Sequence, residues 1–391
     1  MKPRNLSRIL LLKAEPGASF ELCARYPFAE LESRGLCEVR TAEPWDLCIL
    51  AHILWCDVVF VVRGYTPLAA LAVRMANRLG RFIVAYWDDN LFEVPRQAPE
   101  QPTSYEADDI RNSMVDILRM ANILAVANER LIEVLHTRAE SNSLGVVLVC
   151  PAVGLREEAP EQLSPTDPPI IGYAGNIAHK VQLQEFVIPA LVQLRQEEVP
   201  FRFQVVGPVV DVPAELRSVT EYHKSMSFEE WLSFRRTLGW AIALAPLPAS
   251  RFHACKFQAK FLDYTGLGAP GIYSNVPPYS DIIDHGRTGI LVGNSPSAWA
   301  EAIRELLADC ELRQRIVQES WRVISQKHSM DAVCGSYKSE LREAFEFRRP
   351  PLFADLRALF DAGWWYINSI MRRAIGLVER QWRHAIRFEQ G

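Results

Sequence analysis

The chain has no C-x-x-C pair among its eight cysteines and no Cys/His cluster at zinc-ligand spacing, so neither a zinc finger nor a dithiol redox centre is indicated. The cysteines at 23, 37, 48, 56, 150, 255, 310 and 334 fall in apolar segments and read as reduced thiols packed as small hydrophobes. Long apolar runs are also missing. The longest, Ile49 to Val62, is broken by His52 and Asp57 and stops short of the roughly 20 apolar residues of a spanning helix. At the start, MKPRNLSRILLL sets basic residues before an apolar run. Lys13, Glu15 and Pro16 follow too soon for a secretory signal, so the run reads as a first strand. No sign of charge prevails: 43 Lys+Arg face 47 Asp+Glu for a net of −4, which argues against affinity for nucleic acid through phosphate neutralisation.

What is present is the composition of a globular protein, 391 residues with 49% hydrophobic and 23% charged, long enough for two cores. Short β-branched or aliphatic runs alternate with segments of helical period, the pattern of parallel strands joined by crossover helices. The fold class is α/β. In the first half the expected strands are Arg8 to Lys13, Cys37 to Thr41, Asp57 to Val62, Arg81 to Trp87, Asn122 to Ala127 and Val146 to Cys150. In the second they are Ile170 to Tyr173, Phe201 to Gly207, Ser218 to Glu221, Trp240 to Ala245, Gly271 to Ser274 and Ile290 to Val292. Helix ends are readable: Pro67 opens and Gly80 closes one helix, Ser227 with Glu230 forms a capping box, and Ser295-Pro296 opens another. Between the halves, LREEAPEQLSPTDPP from Leu155 to Pro169 loses the apolar period and carries four prolines, as a stiff connection does. The units are therefore 1–158, 169–345 and a tail at 346–391, with a cleft expected between the first two.

The densest chemical signal is FHACKFQAKFLDYTGLGAPG, Phe252 to Gly271. Read as loop, helix and glycine stop, it sets Lys256, Lys260 and Asp263 at spacings of four and three on one helix face. Such a stripe spans on the order of 10 Å from a helix N-terminus, enough for a diphosphate and its ribose. Two ammonium groups neutralise the diphosphate, and a carboxylate accepts from vicinal ribose hydroxyls. A solvated helix face is the plain alternative. The second signal is GYAGNIAHK, Gly172 to Lys180, where a glycine after a strand lets backbone N–H groups approach an anion. This segment lacks both G-x-G-x-x-G and the Walker pattern.

These residues resemble glycosyltransferase family 4, retaining enzymes of the GT-B fold, and in particular the bacterial polysaccharide-assembly members. The match is carried by Phe252, Lys256, Lys260, Asp263, Tyr264, Leu267, Gly268 and Pro270, by Pro277 to Tyr279, by HGRTGILV from His285, and by IIGYAGNIAH. In the first half, Val61 to Arg63, YWDDNLFEVP from Tyr86, and Asn128 are similar to the acceptor domain of the group. The resemblance implies two Rossmann-like doubly wound domains facing a cleft, plus a C-terminal helical tail. It implies transfer of a hexosyl or deoxyhexosyl group, with retention, from a nucleoside diphosphate sugar to a glycan or lipid-linked acceptor in cell-surface polysaccharide synthesis. Lys256, Lys260 and Asp263 then act on the departing diphosphate and the ribose; Gly175, Asn176, His179, His253, Ala254 and Tyr264 bind the donor; Arg63, Asp89 and Asn128 face the acceptor. No cofactor and no metal are expected, because lysines and a helix terminus take the place of an ion that Asp88-Asp89 would otherwise hold.

Two positions depart from the pattern. Where many members carry glutamates eight residues apart, this chain has Cys255 and Asp263. Cys255 cannot replace an acceptor carboxylate, so either sugar contacts come from backbone amides around His253 and Ala254 or donor binding is weak. A catalytically silent sugar-nucleotide or glycan-binding subunit is therefore the rival reading, and a GT-B nucleotide-sugar epimerase is a third, disfavoured one. From Arg348 the tail holds eight arginines against four acidic residues, beside an apolar stripe Trp364, Ile367, Met371, Ile375, Val378 and Trp382. A cytoplasmic protein is expected, with the tail either lying on an anionic inner membrane surface or packing on the fold.

Overall fold

The computed structural model describes residues 6–15, 17–96, 103–152, 166–175, 180–207 and 209–350. Valine-rich segments such as VVFVV and FIVAYW are buried at every position, as strands covered on both faces must be. They form a six-stranded parallel sheet from β1 (Ser7–Lys13), β2 (Cys37–Ala42), β3 (Val58–Val62), β4 (Phe82–Trp87), β5 (Ile123–Val126) and β6 (Leu144–Val147), in the order β2-β1-β3-β4-β5-β6. A second parallel sheet joins β7 (Ile170–Ala174), β8 (Arg202–Val206), β9 (Thr220–His223), β10 (Trp240–Ala245), β11 (Gly271–Ser274) and β12 (Ile290–Val292), in the order β12-β11-β10-β7-β8-β9. Order reverses between β1 and β3 in the first sheet and between β7 and β10 in the second, and such switch points open ligand crevices at the strands' carboxyl ends.

The helix ends follow the chemistry read from the sequence. Thr66 Oγ1 accepts from Ala69 N–H ahead of Pro67, and Gly80 takes φ 64° past the end of that helix. Ser227 and Glu230 exchange both capping-box hydrogen bonds, at 3.2 and 2.7 Å. Ser295 caps the helix Pro296–Ala308.

The boundary at 345 is corrected by packing. The chain crosses between the domains at 150–152 and again near His328, and the crossings touch: Ala152 N–H donates to His328 O at 3.0 Å, and His328 Nδ1 lies 2.8 Å from Cys150 O. Beyond that point Met330–Glu340 and Arg342–Glu346 belong to the core of the first domain, where Val333, Tyr337, Leu341 and Ala344 join Phe28, Phe60 and Tyr86. The apolar side of this segment packs on the helix Tyr26–Ser33, a contact its order in the sequence does not carry. The tail stripe lies outside the described residues. Among the described residues no helix is long and apolar enough to cross a membrane, and all eight cysteines are free thiols.

Tyr337 is fully buried against Phe28, with its hydroxyl donating to Cys23 O at 2.6 Å. Tyr337→Ala should cost about 3–5 kcal/mol in a denaturant titration, and Tyr337→Phe only about 1 kcal/mol. Equal stability of Tyr337→Ala and the wild type would show that the returning helices are dispensable to the first core.

Candidate active site

Both sheets deliver polar residues from the carboxyl ends of their strands. In the first domain β1 runs out toward Glu15, β3 into Arg63, β4 into Asp88 and Asp89, and β5 toward Asn128; in the second, β7 leads into Gly175, β8 into Gly207, and β10 toward the segment 246–267. The two ends meet. Asn128 Nδ2 donates to Ala254 O at 3.1 Å and Lys256 O at 3.3 Å, Lys256 Nζ donates to Asp89 Oδ1 at 3.1 Å, and Arg130 forks onto Asp281 at 2.9–3.2 Å. The Arg130 pair is half exposed and worth about 0–1 kcal/mol, so the less exposed contacts set the geometry.

On the second domain, close approach dictates glycine. A Cβ on Gly175 would stand 2.3 Å from Tyr173 Oη and 2.8 Å from Lys260 Nζ, and one on Gly207 (φ 117°) would stand 1.8 Å from Gly175 O. Lys260 reaches into this corner, donates to the Ala174 carbonyl and sits 4.4 Å from the Tyr173 ring centroid. Burial, with repulsion from Lys256 and against attraction from Asp263, pulls its ammonium down to about 7. Tyr173 Oη, beside it, is buried without a hydrogen-bond partner among the described residues. Asn176 and His179 lie outside the described residues.

The expected single stripe is broken. Lys256 lies in a turn between the helices Arg251–Ala254 and Ala259–Leu267, so only Lys260 and Asp263 share a helix. The cause is Asn128: it takes the Lys256 carbonyl that an uninterrupted helix would use, and Gln258 leaves the helical region (φ −79°, ψ 41°). Lys256 therefore turns to the first domain, its Nζ 4.6 Å from the Phe252 ring centroid and bonded to Asp89. Asp263 accepts from Arg235 Nη1 at 2.7 Å, and burial pushes its carboxyl up against the pull of Arg235, Trp231 and Lys260.

Three donor-side expectations change. The amides of His253 and Ala254 are committed inside the short helix, to Ser250 Oγ at 3.2 Å and Ser250 O at 2.9 Å, so they are not open to a sugar. The His253 ring is buried, 2.7 Å from Ser250 Oγ, and burial together with Lys256 lowers it to about 4, leaving it neutral. Tyr264 faces the core: its hydroxyl donates to Leu244 O at 2.7 Å and the ring packs on Trp240 and Tyr273. Cys255 is buried in the apolar cluster of the first domain that includes Trp87 and Phe92, and burial raises its thiol.

On the first domain Arg63 holds a left-handed backbone (φ 48°), rare without glycine, and its guanidinium meets three carboxylates. Nε donates to Asp88, Nη2 to Asp89 at 2.5 Å, and Nη1 to Glu15 at 2.9 Å. Asn128 has no spare group on its donor side; its Oδ1 caps the following helix through Arg130 N–H at 2.9 Å. Glu15, Tyr173, Gly207 and Arg235 were not singled out in the sequence. The first three sit within two residues of a strand's carboxyl end, a positional signal that could have found them; Arg235 carries none.

The architecture defines a class: two Rossmann-like domains with their carboxyl ends opposed, the GT-B fold. Residues 168–309 match the family model described as glycosyl transferases group 1. Among solved structures, Anabaena HepE in complex with UDP and glucose is 12% identical with a TM-score of 0.57, covering 86% of this chain and 100% of that one. Sucrose-phosphate synthase from Thermosynechococcus elongatus is 12% identical at a TM-score of 0.60, covering 87% and 99%. The lipopolysaccharide outer core galactosyltransferase WaaB is 11% identical at 0.55, covering 86% and 99%. No curated protein sequence matches the chain.

Cys255→Glu restores the carboxylate usual in the resembling family but puts it among apolar side chains. It should destabilise by about 2 kcal/mol or more, seen as a lower Tm, without raising turnover. Unchanged Tm would mean that position 255 opens to the cleft.

Proposed function

We propose that the protein is a glycosyltransferase moving a hexosyl or deoxyhexosyl group from a nucleoside diphosphate sugar to a glycan or lipid-linked acceptor, with retention, in cell-surface polysaccharide synthesis. The observation that carries this reading is the pair of ammonium groups in the cleft, Lys260 against the last carbonyl of β7 and Lys256 against Asp89 beyond β4. The match over residues 168–309 supports it. So does the crowded glycine corner, where a single added carbon at 175 would collide with Lys260 Nζ. In this reading the diphosphate lies at Gly175 with Lys260 and Lys256 on its oxygens, and no metal is needed. Asp263, steadied by Arg235, holds the ribose. Retention rests on the family resemblance, and the tail arginines suit an acceptor carried at an anionic membrane.

As the glycosidic bond breaks, charge collects on the diphosphate, so Lys260 acts mainly in the transition state. Lys260→Ala should lower kcat by roughly 10²-fold or more with a smaller change in donor KM, assayed as nucleoside diphosphate release in EDTA with a membrane extract as acceptor. A kcat equal to wild type would remove Lys260 from the chemistry. Donor binding by wild type without any diphosphate release would favour the silent-subunit reading.

The Lys260 ammonium, at about 7 in the donor-free protein, is largely neutral at higher pH. A diphosphate stabilises the cation, so UDP binding at a pH above 7 should take up a proton and weaken as pH rises. Calorimetric heats in buffers of different ionisation enthalpy measure the uptake, and Lys260→Met should abolish it. Binding without proton uptake would place the anion away from Lys260.

A further inference from the structure

We infer that Asp89 serves two successive partners: Lys256 before the donor binds, and a neutral hydroxyl of the acceptor once the donor's diphosphate has taken Lys256. The inference rests on the donor reading above and adds the order of binding and the class of acceptor.

The two oxygens of Asp89 have separate duties. Oδ2 accepts from Arg63 Nη2 at 2.5 Å, and Arg63 is itself anchored by Asp88 and Glu15, so that bond has no cause to move. Oδ1 accepts from Lys256 Nζ at 3.1 Å, and Lys256 belongs to the opposite domain. Both side chains are mostly withdrawn from water, at 16% exposure for Asp89 and 21% for Lys256, against 39–50% for the neighbouring Arg130–Asp281 pair. An ion pair so placed must be exchanged rather than simply opened, because a bare carboxylate oxygen in a partly dry cleft is costly.

A diphosphate is the exchange partner for Lys256, since it offers more negative charge than one carboxylate. Asp89 Oδ1 is then left facing the cleft in need of a hydrogen. Arg63 already spreads its bonds over three carboxylates, with Nη2 on the other oxygen of Asp89. The incoming group must donate, and a sugar hydroxyl does; a phosphate or carboxylate does not. The surrounding charge agrees: Glu15, Asp88 and Asp89 outnumber Arg63 once Lys256 has turned to the donor, which repels an anionic acceptor. Donor therefore binds first, and the acceptor end is a neutral hydroxyl, whether the glycan is free or lipid-linked.

The test is a double-mutant cycle on UDP affinity, with GDP, ADP and dTDP as further probes, by calorimetry on the full chain. Asp89→Asn releases Lys256 and should tighten binding roughly tenfold, the size of one pairing of about 1.4 kcal/mol. In a Lys256→Met background the same change should alter affinity less than about twofold. Relief of through-space repulsion alone would give equal gains in both backgrounds and overturns the exchange. Asp89→Glu keeps the charge and should not gain. If Asp89→Asn melts early, Asp89→Ser replaces it in the cycle. Failure of the wild type to bind any of the four nucleotides sinks the donor reading itself; binding by wild type with no gain in Asp89→Asn sinks only this inference. For the acceptor, wild type given a nucleotide-sugar library should transfer to neutral oligosaccharides and not to polyprenyl phosphate in micelles. Transfer to the phosphate contradicts the assignment of acceptor class.

Discussion

The site depends on an ammonium group held out of water. Lys260 stands in a corner made by Tyr173, Gly175 and Gly207, with one backbone carbonyl, one aromatic face and the field of Asp263 to offset its lost hydration. Those partners are too few to keep it fully protonated at neutral pH. In the proposed reading this corner receives the donor's diphosphate, and the Tyr173 hydroxyl, without a partner among the described residues, stands beside it. The glycines follow from this, because any larger residue at 175 or 207 would displace the lysine or the neighbouring loop.

The second domain is tied to the first at one of its cations. Lys256, the other cation, is turned across the cleft with its own carbonyl held by Asn128, and its charge is balanced by an aspartate of the first domain. Cys255 shows the same dependence. Its thiol, carried on a segment of the second domain, fills an apolar gap in the first domain's cluster with Trp87 and Phe92.

Much of this was legible in the sequence. All twelve expected strands occur, and the helix starts at Pro67, Ser227 and Ser295 were readable because their signals are local. The positions of Lys260, Asp263 and Gly175 were readable for the same reason, since strand, turn and helix follow one another within a few residues. What was not legible depends on long-range partners. The break after Lys256 needs Asn128, which is 128 residues away from Lys256 in the chain. The inward turn of Tyr264 needs the Leu244 carbonyl of β10. The return of 330–347 to the first domain depends on the surface that Phe28 and Phe60 present, which periodicity does not reveal.

The most direct test of the central claim is a crystal structure with a nucleoside diphosphate bound. The account predicts the diphosphate at the carboxyl end of β7, within hydrogen-bond distance of Lys260 Nζ, with Lys256 turned from Asp89 toward its oxygens. A nucleotide seated elsewhere, or a diphosphate bound there while Lys260 still faces only the Ala174 carbonyl, would contradict it.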